Sequence, residues 1–281
     1  MIKKGVVFGP WVGEFGWELF AWQAYCRSIS RNYDYCIGIS RPNNEYFYND
    51  FCDKYIPLEP PAGGVADSHK YGGFSDFNTT EFLRSTVEPE ILSSYEWRWI
   101  PPHKIGNPPY THWMQRVNVS GHHVVPSYRL FGREVNLRKS EKFDIVIHAR
   151  NRKVRQEDNW KKEKWNLLAA ELKKKGHSVA SIGTKSASLH IDGTNDMRDL
   201  STSETTGLLA NAMCIIGPSS GPIHLATLCG CPQITWTHFQ PQNYSKSRYL
   251  YTWNPFNVES VILENSDPEV SAVLQAFEGL R

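Results

Sequence analysis

The sequence lacks the long apolar run that a membrane-spanning helix requires. None of the apolar stretches in its 281 residues reaches the roughly 18 residues of a membrane span. The first residues, MIKKGVVFGPW, turn to glycine and proline too early for a signal peptide. We therefore expect a cytoplasmic protein without a transmembrane segment.

Signals of a metal site are also missing. The six cysteines form no Cys-x-x-Cys pair, and no histidines cluster at the spacing of zinc ligands. This pattern excludes the common zinc-binding modules and predicts free, buried thiols.

Neither sign of charge dominates the chain. It has 31 lysines and arginines against 29 aspartates and glutamates, for a formal net charge of +2. The balance lacks the strong basic excess that is typical of nucleic-acid-binding proteins, although a local basic patch is compatible with it. A hydrophobic content of 40% indicates a folded globular protein.

The first third of the chain reads as a series of alternating strands and helices. Short apolar runs predict buried parallel strands, and a helical spacing of apolar residues predicts the segments between them. The predicted strands are GVVFG (5–9), YDYCIGIS (33–40) and KYIPL (54–58), and the predicted helices are WELFAWQAYCRSI (17–29) and NNEYFYNDFC (43–52).

The middle of the chain, residues 57–135, is dense in proline, glycine, histidine and aromatic residues, which predicts long loops and irregular strands. The polar stretch NLRKSEK at 136–142 then precedes a new apolar strand. We place a domain boundary there, with one domain at 1–138 and a second at 139–281.

Strands and helices alternate regularly in the second domain. Ser203 is the predicted N-cap of one helix, and Gly176 follows the end of another. The strands are FDIVIHAR (143–150), HSVASIG (177–183), MCIIGP (213–218) and PQITWT (232–237), and the helices lie in 159–176, 203–212, 220–230 and 267–280. The whole chain therefore predicts an α/β protein with two facing Rossmann-like, doubly wound domains and a ligand cleft between them.

The segment IIGPSSGPIHLATLCGCP (215–232) has the features of an anion site. Its strand ends in a turn where Ser219, Ser220 and Gly221 open a helix. The free N–H groups and the positive end of such a helix attract a phosphate. An ordinary tight turn with a serine cap is the alternative interpretation.

A second candidate, IHARNRKVRQEDNW (147–160), follows the first strand of the second domain. It gathers His148 and four cations at a strand end, where guanidinium groups can bind a diphosphate in a bidentate manner. The cations are Arg150, Arg152, Lys153 and Arg155. A solvated basic loop remains the alternative.

The stretch DLSTSETTGLLANAMCIIGPSSGPIHLATLCGCP (199–232) resembles the nucleotide-binding half of GT-B glycosyltransferases, most closely the heptosyltransferase family. That family has a Ser or Thr followed by Gly after an apolar strand, a His three residues later, and a Gly-x-Pro before the next strand. The matching positions are Ser220, Gly221, His224, Gly230 and Pro232. Ser219 stands where the family has an acid that contacts the donor sugar, so the donor sugar is left open. His148 and Arg150 also resemble the His-x-Arg of fucosyltransferase-type GT-B enzymes.

The resemblance implies further roles. It implies that Gly183 and Thr184 lie near the nucleobase, that the stretch from Asp199 to Glu204 approaches the ribose, and that His224 contacts nucleotide or sugar unless it is a packed core histidine. Metal-dependent enzymes of the other large glycosyltransferase fold commonly carry Asp-x-Asp, which this chain lacks. Protein cations rather than a metal would then stabilise the leaving phosphate, with no cofactor besides the nucleotide-diphosphate sugar.

Two acids lie in GPWVGEFGWELFAW (9–22), immediately after the first strand. The resembling enzymes have a Gly-Asp in this turn whose carboxylate acts as general base, and Gly13 and Glu14 match that pair. Glu18 is explained by the favourable field at the start of a helix. Trp11 and Trp17 are candidates to shape an acceptor cleft, or else belong to the core.

The section from Tyr95 to Arg129 combines aromatic residues and histidines with four basic residues and one acidic residue. Aromatic faces stack on sugars and on nucleobases alike. The section is therefore compatible with a glycan or lipopolysaccharide-type acceptor and with a hydroxylated base of DNA.

The resemblance implies a glycosyltransferase that is inverting and metal-independent, with Glu14 as the favoured base unless Glu18 or another group serves instead. Two alternatives remain open. One is an epimerase of nucleotide sugars, and the other is a non-catalytic nucleotide-sugar-binding protein. The sequence leaves the oligomeric state open.

Overall fold

The computed structural model describes residues 2–59, 78–102, 117–119, 122–138, 141–153, 156–237 and 246–280, with only the backbone of 117–119 and 122–124. The chain divides into two compact units, Met1–Tyr128 and Arg129–Arg281. The division precedes the charged stretch at which the sequence predicts it, because residues just after it bond within the second unit. The Phe131 N–H, for example, donates to the Leu228 carbonyl at 2.8 Å.

A parallel four-stranded sheet forms the centre of the first unit. Its order is β3-β2-β1-β4, so the first strand of the chain is an inner strand. The strands are β1 (Lys4–Trp11), β2 (Tyr35–Ser40), β3 (Lys54–Pro57) and β4 (Glu96–Ile100). From Gly5 onward β1 is buried without a break, as its continuous apolar run predicts.

The helical segments of this unit lie between its strands in the sequence. After β1 come α1 (Phe15–Trp17), a π-helical turn (Glu18–Trp22) and α2 (Gln23–Ser30), then α3 (Thr79–Thr86) and α4 (Pro89–Ser94) before β4. Strands β5 (Val117–Val119) and β6 (His122–Val124) form a separate antiparallel pair. The sequence does not predict α3, α4 or β4, whose short apolar patterns lie among residues that favour loops.

The helix predicted over 43–52 is wrong. Only a 3-10 turn forms there, at Glu45–Phe47. Asn43 has left-handed backbone (φ 68°), and the Asn44 side chain is engaged in a tertiary hydrogen bond. Asparagine side chains bond readily outside helices, which lowers their preference for a helix interior.

One core of the first unit lies between its strands and α3. Val7, Ile37 and Ile39 of the central strands pack in a cluster with Leu83 and Val87. On the segment that follows β1, the whole π-helical turn and most of α2 are also buried. The turn between β1 and this segment is therefore held by packed elements at both of its ends.

A six-stranded sheet forms the second unit, with the order β12-β11-β10-β7-β8-β9 and parallel pairing throughout. The strands are β7 (Ile145–Ile147), β8 (Val179–Ser181), β9 (Asn195–Asp196), β10 (Cys214–Pro218), β11 (Gln233–Trp236) and β12 (Ser260–Leu263). The predicted parallel sheet is confirmed. The sequence analysis missed β9 and β12.

Three helices lie between these strands, namely α5 (Lys162–Lys174), α6 (Thr202–Asn211) and α7 (Gly221–Cys229), and α8 (Val270–Glu278) follows the last strand. The prediction of Ser203 as N-cap is wrong. Ser201 caps α6, because its hydroxyl accepts from the Glu204 N–H while the Glu204 carboxylate accepts from the Ser201 N–H, a reciprocal capping box.

The core of the second unit includes three tryptophans whose rings pack together at tilted and edge-to-face angles. Trp160, Trp165 and Trp236 have ring centroids 4.9–5.7 Å apart and are almost fully buried. Val270 and Val273 of α8 join the same cluster, so the last helix packs on the second unit.

All six cysteines are free thiols, five of them buried. Within the described residues, the helices are too short or too polar to cross a membrane.

Candidate functional site

His148 follows β7 at the carboxyl end of the second sheet. Its side chain is buried, and its Nδ1 lies 3.2 Å from the Ile182 carbonyl at the end of β8. The pKa of His148 is lowered to about 4, mainly by burial and partly by the nearby Arg150 charge, against the opposing effect of the hydrogen bond to the Ile182 carbonyl. The ring is therefore neutral at physiological pH, and since a carbonyl only accepts, Nδ1 carries its proton.

Gly183 allows the end of β8 to approach this ring. Its backbone is left-handed (φ +121°), and an added Cβ would lie 2.9 Å from the His148 ring and 2.7 Å from Ser188 Oγ. The turn continues into Thr184, whose carbonyl accepts from Ser188 Oγ at 2.6 Å. Asp199 closes it from the other side by donating its N–H to the Gly183 carbonyl at 2.8 Å. Glycine is thus required at this strand end by conformation and by space.

The predicted cations of the loop after β7 differ in exposure. Arg150 is completely buried, pairs in an isolated bridge with Ser188, and donates from Nη1 to Asn159 Oδ1 at 2.8 Å. Arg152 is half-buried and Lys153 is exposed. Arg155 lies outside the described residues. The loop therefore presents Arg152 and Lys153 to a ligand more directly than Arg150.

An open depression of about 530 Å³ lies over this loop. All but one of the side chains around it are polar, and Arg152 and Lys153 give it positive charge. Its lining residues are Asn151, Arg152, Lys153, Gln156, Asn159, Ser186 and Ala187. The cavity thus joins the basic loop after β7 to the segment after the Gly183 turn. A small polar anion fits its size and charge.

The turn between β10 and α7 provides backbone donors, as predicted. Ser220 is the N-cap of α7, and its side chain makes no capping bond. The first intrahelical bond runs from the His224 N–H to the Ser220 carbonyl at 3.0 Å. The Gly221 and Ile223 N–H groups precede that bond, whereas Pro222 has no N–H. Within the described part of the chain, these two N–H groups have no intrahelical acceptor and lie at the positive end of the helix dipole.

Ser219, at the position of the family's acid, is buried. Its hydroxyl accepts a hydrogen bond from the Tyr249 hydroxyl, and its N–H donates to the Trp236 carbonyl at 2.7 Å. His224 stacks on Tyr249 with centroids 5.7 Å apart and meets Trp253 edge to face at 4.8 Å. The helix start is therefore backed by an aromatic group that the sequence analysis did not associate with it.

Glu204 is occupied by its helix cap. Its carboxylate accepts from the Ser201 N–H at 2.9 Å and the Ser201 hydroxyl at 2.6 Å. These hydrogen bonds lower the pKa of Glu204. A contact to a ribose would have to share this carboxylate with the cap.

In the first unit, Glu14 lies in the turn directly after β1. It is half-buried, has extended backbone, and its carbonyl accepts from the Glu18 N–H at 3.1 Å. The Arg41 guanidinium donates to the carbonyls of Val12 and Gly13, so the backbone just before Glu14 is held by a side chain from the end of β2. The turn is therefore fixed on both sides of Glu14.

The two tryptophans predicted for this region differ. Trp11 is buried and stacks on Trp22, with centroids 5.8 Å apart and an interplanar angle of 17°. Trp17, in α1, is half-buried. Trp11 thus packs in the core, which was the second of the two interpretations of these residues.

Glu18 is fully buried, which the sequence analysis did not anticipate. Its carboxylate accepts from the hydroxyls of Ser40 and Tyr48 and from the Asn44 amide. Burial raises the pKa of Glu18, although these donors and the nearby Arg41 charge act in the opposite direction. Glu18 therefore joins the segment after β1 to residues 40–48 by hydrogen bonds, and helix electrostatics is not its main role.

Sequence reasoning missed Asn159, Arg41 and Tyr249, which support the predicted residues rather than form a motif. Nothing in their spacing marks them, because their partners are distant in sequence or lie across a loop.

Among the described residues, no group of His, Cys, Asp and Glu is placed to hold a metal ion. Of the aromatic section from Tyr95 to Arg129, residues 103–116 and 120–121 lie outside the described part of the chain.

No family model and no curated protein matches this sequence. Solved structures do match. E. coli heptosyltransferase WaaC with ADP has a TM-score of 0.60 at 12% identity, covering 99% of this chain and 100% of that one. The chain has a GT-B-like fold. A family 9 glycosyl transferase from Veillonella parvula DSM 2008 has a TM-score of 0.61 at 11% identity, and the match covers 99% of this chain and 97% of that one. E. coli ADP-heptose lps heptosyltransferase II has a TM-score of 0.55 at 12% identity, and the match covers 99% of this chain and 98% of that one. The resemblance to heptosyltransferases is thereby confirmed for the fold.

Proposed function

We propose that this protein is a glycosyltransferase that moves a sugar from a nucleotide-diphosphate sugar to an acceptor hydroxyl. The observation that carries the proposal is the carboxyl edge of the second sheet. There a cationic depression follows β7, and a helix start with two N–H donors follows β10. Both features suit phosphate, and they occur on a fold shared with a heptosyltransferase solved with ADP.

In the second unit, Arg152 and Lys153 contact the donor phosphates together with the turn of Ser219, Ser220 and Gly221. Arg150 acts from its buried position by fixing the loop. Gly183 and Thr184 border the nucleoside, and Glu204 and His224 contact nucleotide or sugar. The exposure of Arg152 and Lys153 on the cavity supports this division.

In the first unit, Glu14 is the base that accepts the proton of the acceptor hydroxyl, with Gly13 and Trp17 close to it in the chain. A base that activates the attacking hydroxyl suits direct displacement, which inverts the anomeric carbon. The turn fixed by Arg41 supports this role, because a base acts efficiently only when its carboxylate is held in position.

The proposed reaction needs no metal. The support for this is the pair of cations on the depression and the helix dipole, which together neutralise the charge of the leaving diphosphate. Transfer that persists in excess EDTA is the expected result. Loss of transfer in EDTA and its recovery with Mg²⁺ would show the opposite.

The acceptor is proposed to be a saccharide. The test is to incubate the protein with ADP-, GDP-, UDP-, CDP- and dTDP-sugars and a glycan acceptor, and to measure nucleotide release and the anomer of the product. We expect one donor to react with inversion. A retained anomer would exclude Glu14 as the base of a single displacement.

The same assay separates the alternatives. A change in the donor sugar without any acceptor would identify an epimerase, and binding without turnover would identify a binding protein. Transfer to hydroxylated DNA that falls steeply with salt would replace the glycan by nucleic acid.

A further inference from the structure

Asn159 lies at the edge of the depression, and no role was predicted for it. Its backbone is anchored on both sides: its N–H donates to the Gln156 carbonyl at 2.9 Å, and Trp160 next to it belongs to the buried tryptophan cluster. The Trp160 indole N–H also donates to the Pro268 carbonyl at 3.0 Å. The core of the second unit therefore fixes where the Asn159 side chain begins.

The Asn159 amide makes three hydrogen bonds to the basic loop. Oδ1 accepts from Arg150 Nη1 at 2.8 Å and from the Arg152 N–H at 3.2 Å, while Nδ2 donates to the Arg152 carbonyl at 2.7 Å. One side chain thus holds the N–H and the carbonyl of Arg152 and also the buried guanidinium. Only a group with both an acceptor and a donor can make this set of bonds.

The bonds of Asn159 fix the backbone from which the Arg152 side chain extends. Arg152 is held directly, and the Lys153 carbonyl accepts from the Gln156 amide at 3.2 Å on the same side of the cavity. Both cations line the depression with Asn159 itself. Long cationic side chains bind phosphate more tightly when their backbone is already ordered, since less freedom is lost on binding.

We propose that Asn159 is a positioning residue that orders the loop backbone at Arg152 for binding the diphosphate of the donor. This inference rests on the proposed function and adds to it a residue that acts through the phosphate ligands. A positioning role makes a specific prediction: removal of the amide weakens binding of the phosphates and leaves binding of the nucleoside unchanged.

The test compares Asn159→Ala and Asn159→Asp with the control Asn166→Ala. Asn166 also makes two hydrogen bonds through its amide, to Asp192, but lies on α5 outside the lining of the depression. The probes are inorganic pyrophosphate, the nucleoside diphosphate that binds wild type best, and its parent nucleoside. Dissociation constants are measured by titration calorimetry, with a melting curve for each variant.

We expect Asn159→Ala to raise the Kd of the diphosphate and of pyrophosphate about tenfold, with the nucleoside and Asn166→Ala at wild-type values. Asn159→Asp keeps the acceptor for Arg150, so its dissociation constants can still be measured if Asn159→Ala does not fold. Its new negative charge repels phosphate, and we expect a larger loss that shrinks at high salt.

An unchanged diphosphate Kd in a folded variant would overturn the inference, as would an equal loss for nucleoside and diphosphate. If wild type transfers a sugar but the Asn159 variants bind normally, only the inference fails. If wild type binds pyrophosphate in an Asn159-dependent way but neither binds a nucleotide nor transfers a sugar, only the proposed function fails. Wild type that binds none of the probes overturns both.

Discussion

The loops that follow the first strand of each unit are built in contrasting ways. In the first unit, the turn after β1 carries Glu14 and is held by the cationic side chain of Arg41 through backbone carbonyls. In the second unit, the loop after β7 carries cations and is held by the neutral amide of Asn159. A cation holds the acidic turn, whereas an amide that adds no charge holds the basic loop.

A buried titratable group lies close to each loop, and the two pKa values move in opposite directions. Burial raises the pKa of Glu18 above its usual 4.5 and lowers the pKa of His148 from 6.5 to about 4. In both cases burial favours the neutral form. Each unit therefore places a buried titratable group close to its charged loop.

The sharpest way to test the contrast is to neutralise Glu14. Glu14→Gln should lower kcat about a thousandfold, because the acceptor hydroxyl loses its base. Binding of the nucleotide should be unchanged, since the proposed donor site lies in the second unit. The control is Glu88→Gln, an exposed carboxylate that pairs with Lys54 at 2.7 Å. A normal kcat in Glu14→Gln would remove the proposed base.

Glu18 should matter for stability rather than for chemistry. Glu18→Ala leaves the buried donors of Ser40, Asn44 and Tyr48 without their acceptor and should cost about 3 kcal/mol in the free energy of unfolding, measured with urea. Glu18→Gln keeps an acceptor and should cost much less. Equal losses in the two variants would contradict the hydrogen-bonding role.

The sign of the Glu18 pH effect follows from its raised pKa. The folded state binds the proton more tightly than the unfolded state, so this group stabilises the fold below about pH 4.5. That contribution is lost as the pH rises through the folded pKa. Glu18→Gln should flatten the dependence of the free energy of unfolding on pH as the pH rises from about 4.5 through the folded pKa of Glu18.

His148 should give the opposite slope. Its pKa is depressed in the folded state, so its contribution is present above pH 6.5 and is lost as the pH falls toward 4. Between pH 7 and pH 5 wild type should lose roughly 2 kcal/mol through this residue. His148→Asn, which keeps a donor for the Ile182 carbonyl, should lose less, and the exposed control His190→Asn should behave as wild type. If the free energy of unfolding of His148→Asn fell with pH as steeply as that of wild type, another group would be responsible for the loss.

The sequence predicts the second unit far better than the first. CIIGP and QITW are short segments with apolar, β-favouring residues between clear turn residues, and the structure has them as β10 and β11. In the first unit the 43–52 segment has a helical apolar spacing, yet its side chains serve tertiary contacts, such as that of Asn44 with Glu18. Local pattern predicts an element only where tertiary contacts agree with it.

Some residues of the candidate site could be proposed from the sequence and others could not. Ser220, Gly221 and the basic loop could be proposed, because their chemistry follows from local order, which is a strand end followed by a helix or loop. The burial of Arg150 and Glu18 was not found, because burial depends on partners nine to thirty residues away, such as Asn159 and Tyr48. Charged residue types in a sequence pattern do not reveal which of them reach solvent.

The central claim, that the second unit binds a nucleotide-diphosphate sugar through its cationic depression, is tested most directly by thermal shift. Wild type and the double variant Arg152→Ala/Lys153→Ala are melted with ADP, GDP, UDP, CDP and dTDP and their sugars. A ligand at about 100 times its Kd adds about 2.7 kcal/mol of stability. We predict such a rise for at least one nucleotide with wild type, and a markedly higher ligand requirement for the double variant. No rise with any nucleotide, or an equal rise in both proteins, would contradict the account.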